Sequence, residues 1–155
     1  MTDSIAETAN MDGKKKAEKN FRTQWLAQFL VAAELTRRGY TVTFTLGNCP
    51  VFDMMVRAPG TNESFLVDVK GSSNNKVGFF MRRKEQCPGL YYIFVYASND
   101  RKLNEDRFYL LTHEEVNARL DDDEKKYPNS KVPGLGYQQL DPYKDHWDTL
   151  PKSGL

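Results

Sequence analysis

Asp68 and Lys70 stand two positions apart in Phe65-Leu-Val-Asp-Val-Lys-Gly-Ser72, and a second acid, Asp53, precedes them in Val51-Phe-Asp-Met-Met55. Both acids lie among apolar residues of strand-forming type. Alternate side chains of a strand share a face, so Phe65, Val67 and Val69 form a core-facing set and Leu66, Asp68 and Lys70 the opposite one. If residues 51–57 and 64–70 pair as a hairpin through 58–63, Asp53 comes to lie near Asp68. Two partly buried carboxylates at that spacing repel, and one takes up a proton unless a cation sits between them. Mg2+ is such a cation, because it takes oxygen ligands, often one or two carboxylates completed by water and a substrate phosphate. An ammonium alongside, on Lys70, suits orienting or deprotonating an attacking water, or steadying charge on a phosphate. The chemistry on offer is metal-assisted phosphodiester hydrolysis. The plainer alternative is an exposed Asp68–Lys70 pair worth less than about 1 kcal/mol, with Asp53 capping a turn or pairing with Arg57. The whole set on consecutive strands favours a site.

Other chemistries are thinly supplied. The chain has two histidines, His113 and His146, too few for a zinc hydrolase site. Cys49 and Cys87 make neither a disulfide framework nor a CxxC pair, and suit free thiols in a reducing cytosol. No GxSxG or GxxxxGK[ST] motif occurs, and Pro133-Gly-Leu-Gly136 follows no strand, so no small-molecule cofactor is expected. The opening residues lack the basic and apolar regions of a signal peptide, and no apolar run reaches membrane-spanning length. A cytoplasmic location is therefore expected. At 155 residues, 39% hydrophobic, 28% charged and a net charge of +1, the chain suits one domain without overall basicity. Any nucleic-acid surface would have to be local.

Elements must position these residues. Residues 1–15 are polar and aperiodic and are expected to be a disordered leader. A helical pattern runs over 16–38, with Phe21, Trp25, Phe29 and Ala33 near one stripe, stopped by Gly39. Strands are predicted at 40–46, 51–57, 64–70, 76–80, 91–97 and 107–111, with a helical turn over 81–87. Thr112-His-Glu-Glu115 is a capping box opening a helix to about Leu120, which leaves His113 exposed. Residues 121–126 read as a solvated charge run. From about 127 an irregular tail follows, pinned by Tyr137, Leu140, Tyr143 and Trp147. His146 reads as packing rather than chemistry. The sum is a single α/β (α+β) domain with a mixed sheet and helices packed on it.

At these residues the chain resembles the PD-(D/E)XK nuclease superfamily. The motif reads Cys49-Pro-Val-Phe-Asp53, then Asp68-Val-Lys70, with Gln24 to Tyr40 as the preceding helix and Gly-aromatic strand entry. The resemblance covers about residues 20–97. It implies a restriction-endonuclease-like mixed sheet flanked by helices, in a small stand-alone member. It implies Mg2+ or Mn2+ held by Asp53 and Asp68, with Val69 as a further ligand, and Lys70 as the catalytic lysine. It implies DNA as substrate and an endonuclease activity, and many relatives pair as homodimers. One residue departs from the pattern: relatives carry a helix Glu about where Gln28 stands. Glu34 is the helix's available acid, but it lies six residues on, roughly 240° around the helix. Either Glu34 is the site acid, or Gln28 replaces it uncharged, or the site has weakened to binding. Glu34 has a plainer reading in an ion pair with Arg38. The alternative to an enzyme is thus a nucleic-acid-binding or protein-interaction module on the same fold, of phage or defence type.

A nucleic-acid surface has one local source. From Lys70 to Lys84 the bases are Lys70, Lys76, Arg82, Arg83 and Lys84, with no acid between. Ser72, Ser73, Lys76, Arg82, Arg83 and Lys84 are the candidate phosphate contacts, against the alternative of an exposed helical turn at 82–84. Phe79 and Phe80 suit stacking on bases or, as commonly, a core. Lys14-Lys-Lys16 would add non-specific affinity or only solubility.

Overall fold

The computed structural model describes residues 2–45, 50–98 and 105–152, with side chains described from residue 10 onward. Cys49 lies outside them. A long helix, α1 (Thr2–Arg37), is followed by β1 (Thr41–Phe44), β2 (Met54–Arg57), β3 (Ser64–Ser72), β4 (Phe79–Phe80), β5 (Leu90–Tyr96) and β6 (Arg107–Thr112). Then come α2 (His113–Lys126), β7 (Gly134–Leu135) and α3 (Tyr137–Leu140). Five strands form one mixed sheet in the order β1-β2-β3-β5-β6, in which only β3 and β5 run parallel. The small β4–β7 pair stands apart. This is an α+β fold. No helix among the described residues is long and apolar enough to cross a membrane.

The sheet is covered on both faces. On one, Ala27, Val31 and Leu35 of α1 pack with Val67, Val69, Ile93, Val95 and Leu110. On the other, Val116 and Leu120 of α2 pack with Tyr92, Phe94 and Leu111, and Phe79, Leu135 and Leu140 complete the layer. The tail is therefore a wall of the second core. Leu140 is buried there with Tyr137 and Tyr143 partly buried beside it, while Trp147 joins the first core and takes Arg38 over its ring at 4.0 Å.

The helix face toward the sheet is not the aromatic stripe. A Cβ on Gly71 of β3 would lie 2.7 Å from the Ala27 Cβ, so helix and strand approach too closely for bulk on either side. The small and branched residues face the sheet, and Phe21, Trp25 and Phe29 form an outer ladder that continues onto Phe44. Phe21 and Phe29 remain 66% and 57% exposed.

Three further expectations are corrected. The helix begins at Thr2 rather than near Lys16; Ala6, Glu7, Ala9, Met11, Lys14 and Lys15 are strong helix formers that need no apolar stripe. Residues 81–87 form no regular element rather than a helical turn. Long-range partners hold them: Met81 is buried and its N–H bonds to the Pro133 carbonyl, Arg83 reaches α2, and Lys84 reaches β3. His113 is buried at the start of α2, because Tyr92 of β5 stacks against its ring. The capping box is present in full, with Thr112 accepting from the Glu115 N–H and Glu115 accepting from the Thr112 N–H.

Candidate active site

β2 and β3 pair antiparallel, and Met54 opposite Val67 is the last pair of that ladder. β2 itself starts only at Met54, and Asp53 sits on the bend just before it, tied down by its N–H to the Val67 carbonyl at 2.9 Å and by its carbonyl to the Thr45 N–H. β3 continues to Ser72, so beyond Val67 its edge has no strand partner on that side among the described residues.

Side chains supply what the missing strand would. Asp53 Oδ2 accepts the Val69 N–H at 2.8 Å. Gln24 of α1 accepts the Gly71 N–H through Oε1 at 3.0 Å and donates through Nε2 to the Val69 carbonyl at 2.7 Å. One turn on, Gln28 Nε2 donates to Asp53 Oδ1 at 3.0 Å. The expected role of Val69 as a metal ligand therefore meets a main chain whose N–H and carbonyl are both already bonded. Gln24 was not foreseen, although it lies at helical spacing from Gln28 on the face that packs β3.

Asp68 is 2% exposed and ion-paired twice. Lys70 Nζ donates to Oδ1 at 2.9 Å. Lys84 Nζ lies 2.6 Å from Oδ2 and also donates to the Val51 carbonyl at 2.7 Å. Lys84, expected at a phosphate surface, thus belongs to the acid site. No local spacing signals it, since the irregular 81–87 segment brings it to partners far off in the chain. Beneath Asp68 lie Tyr92 and His113, with the Tyr92 hydroxyl 3.4 Å from His113 Nδ1. Burial, with the charges of Asp68 and Cys87 added, pushes the Tyr92 phenol well up.

The charge of Asp68 also acts on Asp53. Burial, reinforced by the charge and the carboxyl contact of Asp68, pushes Asp53 up to about 6 against the opposing pull of the Val69 N–H and Lys70. Glu34 is elsewhere. It pairs with Arg37 and Arg38 at 2.7 and 2.5 Å, and their hydrogen bonds outweigh its partial burial and hold its carboxyl below the usual range. Of the two helix candidates, Gln28 reaches Asp53, whereas Glu34 is held by Arg37 and Arg38.

The donor set suits a hard divalent cation. Two carboxylates meet, and the buried Asp68 Oδ2 has a cation beside it but no hydrogen bond of ordinary geometry. Among the described residues no three His, Cys, Asp or Glu side chains group to hold an ion unaided, but Mg2+ commonly takes one or two carboxylates and completes its shell with water and phosphate.

The remaining candidates divide. Arg83 is held by Asp121 and Glu124 of α2 at 2.6 and 3.2 Å. Arg82 and Lys76 are exposed and make no ion pair among the described residues. Ser72 and Ser73 line a groove of about 590 Å3 between α1 and the segment after β3, together with Lys16, Lys19 and Lys70. Asn74 shapes that segment, accepting from the Lys76 and Val77 N–H groups and, through its carbonyl, from the Tyr137 hydroxyl. Comparisons with protein-family models, curated proteins and solved structures find no match to this chain.

Proposed function

We propose that this protein is a Mg2+-dependent endonuclease on the PD-(D/E)XK plan, hydrolysing phosphodiester bonds in DNA. The observation that carries the reading is that the Asp53 carboxylate is bonded to the N–H of Val69, the residue next to Asp68, with Lys70 Nζ 2.9 Å from Asp68. A divalent ion held by these carboxylates would supply Lewis-acid activation of water and neutralise phosphate charge. The chain's own residues set the stage. Gln28 and the Val69 N–H fix both oxygens of Asp53, Lys70 places an ammonium at the mouth of the site, and the Lys16–Lys19 groove leads a polyanion toward it.

A second reading rests on its own observation. Asp68 is already neutralised by two lysines and Gln28 adds no charge, so the same site serves a nucleic-acid-binding module that has no need of metal. Incubation with Mg2+ or Mn2+ and single-stranded, duplex or branched DNA separates the two. Cleavage abolished by Asp68→Asn and by Lys70→Ala supports the nuclease. Chelator-insensitive, salt-dependent binding with no cleavage of any substrate sinks it in favour of the module.

A further inference from the structure

The lysine-lined groove ends at a wall with a second cavity behind it. Gly78, Phe79 and Phe80 line the groove and also a cavity of about 600 Å3. It is also lined by Leu135 of β7, by Asp123 and Lys126 of α2, and by Tyr127, Asn129 and Ser130 just beyond that helix. The wall is rigidly made. A Cβ on Gly78 would fall 1.9 Å from the Leu135 carbonyl oxygen, so only glycine lets β4 and β7 approach. β7 is fastened to α2 by the Gly134 N–H donating to Asp123 Oδ2 at 2.8 Å.

The two phenylalanines of β4 point opposite ways. Phe79 packs inward against Phe94 and Tyr137. Phe80 lies over Gly134 and stays 67% exposed. Tyr127, across the cavity, is 52% exposed with Lys126 Nζ 5.3 Å from its ring centre. Among the described residues neither Phe80 nor Tyr127 stacks on another aromatic ring. Two open ring faces thus flank a space within the size range of ligand sites. The wall they share leads directly to a groove carrying Lys16, Lys19 and Lys70.

We propose that this cavity takes an unpaired nucleobase, and that the phosphates of the same strand lie along the lysine groove toward Lys70. A basic groove beside exposed aromatic rings is the arrangement by which proteins hold single strands, because every base offers a face to stack. A paired base has both faces covered by its neighbours and must leave the stack to enter such a space. Asn129 and Ser130, which line the cavity, offer polar partners for the base edges. The inference rests on the reading of this chain as a nucleic-acid enzyme, and deepens it by naming unpaired strands or extruded bases as the substrate class.

The test uses the full chain in chelator, so that no cleavage intervenes. A short single-stranded oligodeoxynucleotide carrying one fluorescent purine analogue is titrated against the same oligonucleotide annealed to its complement. Single strand should bind about ten-fold more tightly than duplex, with quenching of the analogue. Phe80→Ala and Tyr127→Ala, both at exposed positions, should each lower single-strand affinity by about ten-fold and leave duplex affinity unchanged. Unchanged single-strand affinity in both variants, an equal loss on duplex, or no oligonucleotide binding at all would overturn the proposal. A parallel cleavage assay with Mg2+ and the Asp68→Asn control separates the failures. Cleavage without a base-dependent preference removes the cavity and keeps the nuclease, whereas base-dependent binding without cleavage does the reverse.

Discussion

Lys84 Nζ lies 2.6 Å from Asp68 Oδ2 and 2.7 Å from the Val51 carbonyl oxygen, so a lysine from beyond β4 closes the acid site on the side opposite Lys70. Were a divalent ion held by Asp53 and Asp68, as proposed above, it would compete with that ammonium for Asp68. The side chain is a counter-cation already in place at the buried carboxylate.

Removing it should tighten metal binding. Lys84→Gln is expected to raise Mn2+ affinity, read by calorimetry, by about ten-fold, the equivalent of ~1.4 kcal/mol. In chelator the same variant should be less stable by about 1–3 kcal/mol, because a buried carboxylate loses one of its two partners. A variant that binds Mn2+ no better than the parent would show that Lys84 does not occupy the ion's place.

Asp53 makes stability depend on pH. Its folded-state value is about 6 against an ordinary 3.8, so between those values the folded chain holds more protons than the unfolded one. Stability in chelator should therefore be greatest at the acid end of this window and fall as pH rises through about 6. A two-unit shift corresponds to ~3 kcal/mol, and partial solvent contact reduces the expected change to about 1–2 kcal/mol. Urea melts across this range should show the slope in the parent and a flattened one in Asp53→Asn. Saturating Mg2+ should flatten it too, since a cation favours the ionised carboxyl.

Gln28→Glu replaces the donor to Asp53 Oδ1 with a third acid. Without metal the variant should lose about 1–2 kcal/mol to an unmade hydrogen bond and like-charge repulsion. Mg2+ should raise its thermal midpoint by more than it raises that of the parent. Equal midpoint shifts in the two proteins would show that the position does not face the ion.

The basic segment should split by partner. Arg83 is committed to Asp121 and Glu124 of α2, and all three are exposed. Arg83→Ala is expected to cost under about 1 kcal/mol of stability and to leave DNA affinity within two-fold. Arg82→Ala and Lys76→Ala should each weaken DNA binding and lower the slope of log affinity against log salt by about 1. Filter-binding at several salt concentrations reads all three, and a reduced slope in Arg83→Ala alone would reverse the assignment.

The residues themselves determined much of this protein. Period-two alternation around Asp68, a hairpin loop at 58–63 and the Thr112–Glu115 capping box are local patterns. Local patterns specify strand, turn and helix start because neighbours along the chain remain neighbours in space. They were enough to anticipate the mixed sheet and the β2–β3 hairpin on which Asp53 and Asp68 lie. Tertiary structure decided the rest. Which side of α1 faces the sheet was settled by the close approach at Gly71, which admits Ala27 and turns the aromatic stripe outward. Which helix residue meets the acids was settled by that same rotation, which delivers Gln28 and leaves Glu34 with its arginines. The capture of Lys84 by Asp68 and of Arg83 by α2 depends on an irregular segment whose path is set by distant partners. No periodicity records such choices, because they arise only when surfaces far apart in the chain compete to bury the same atoms.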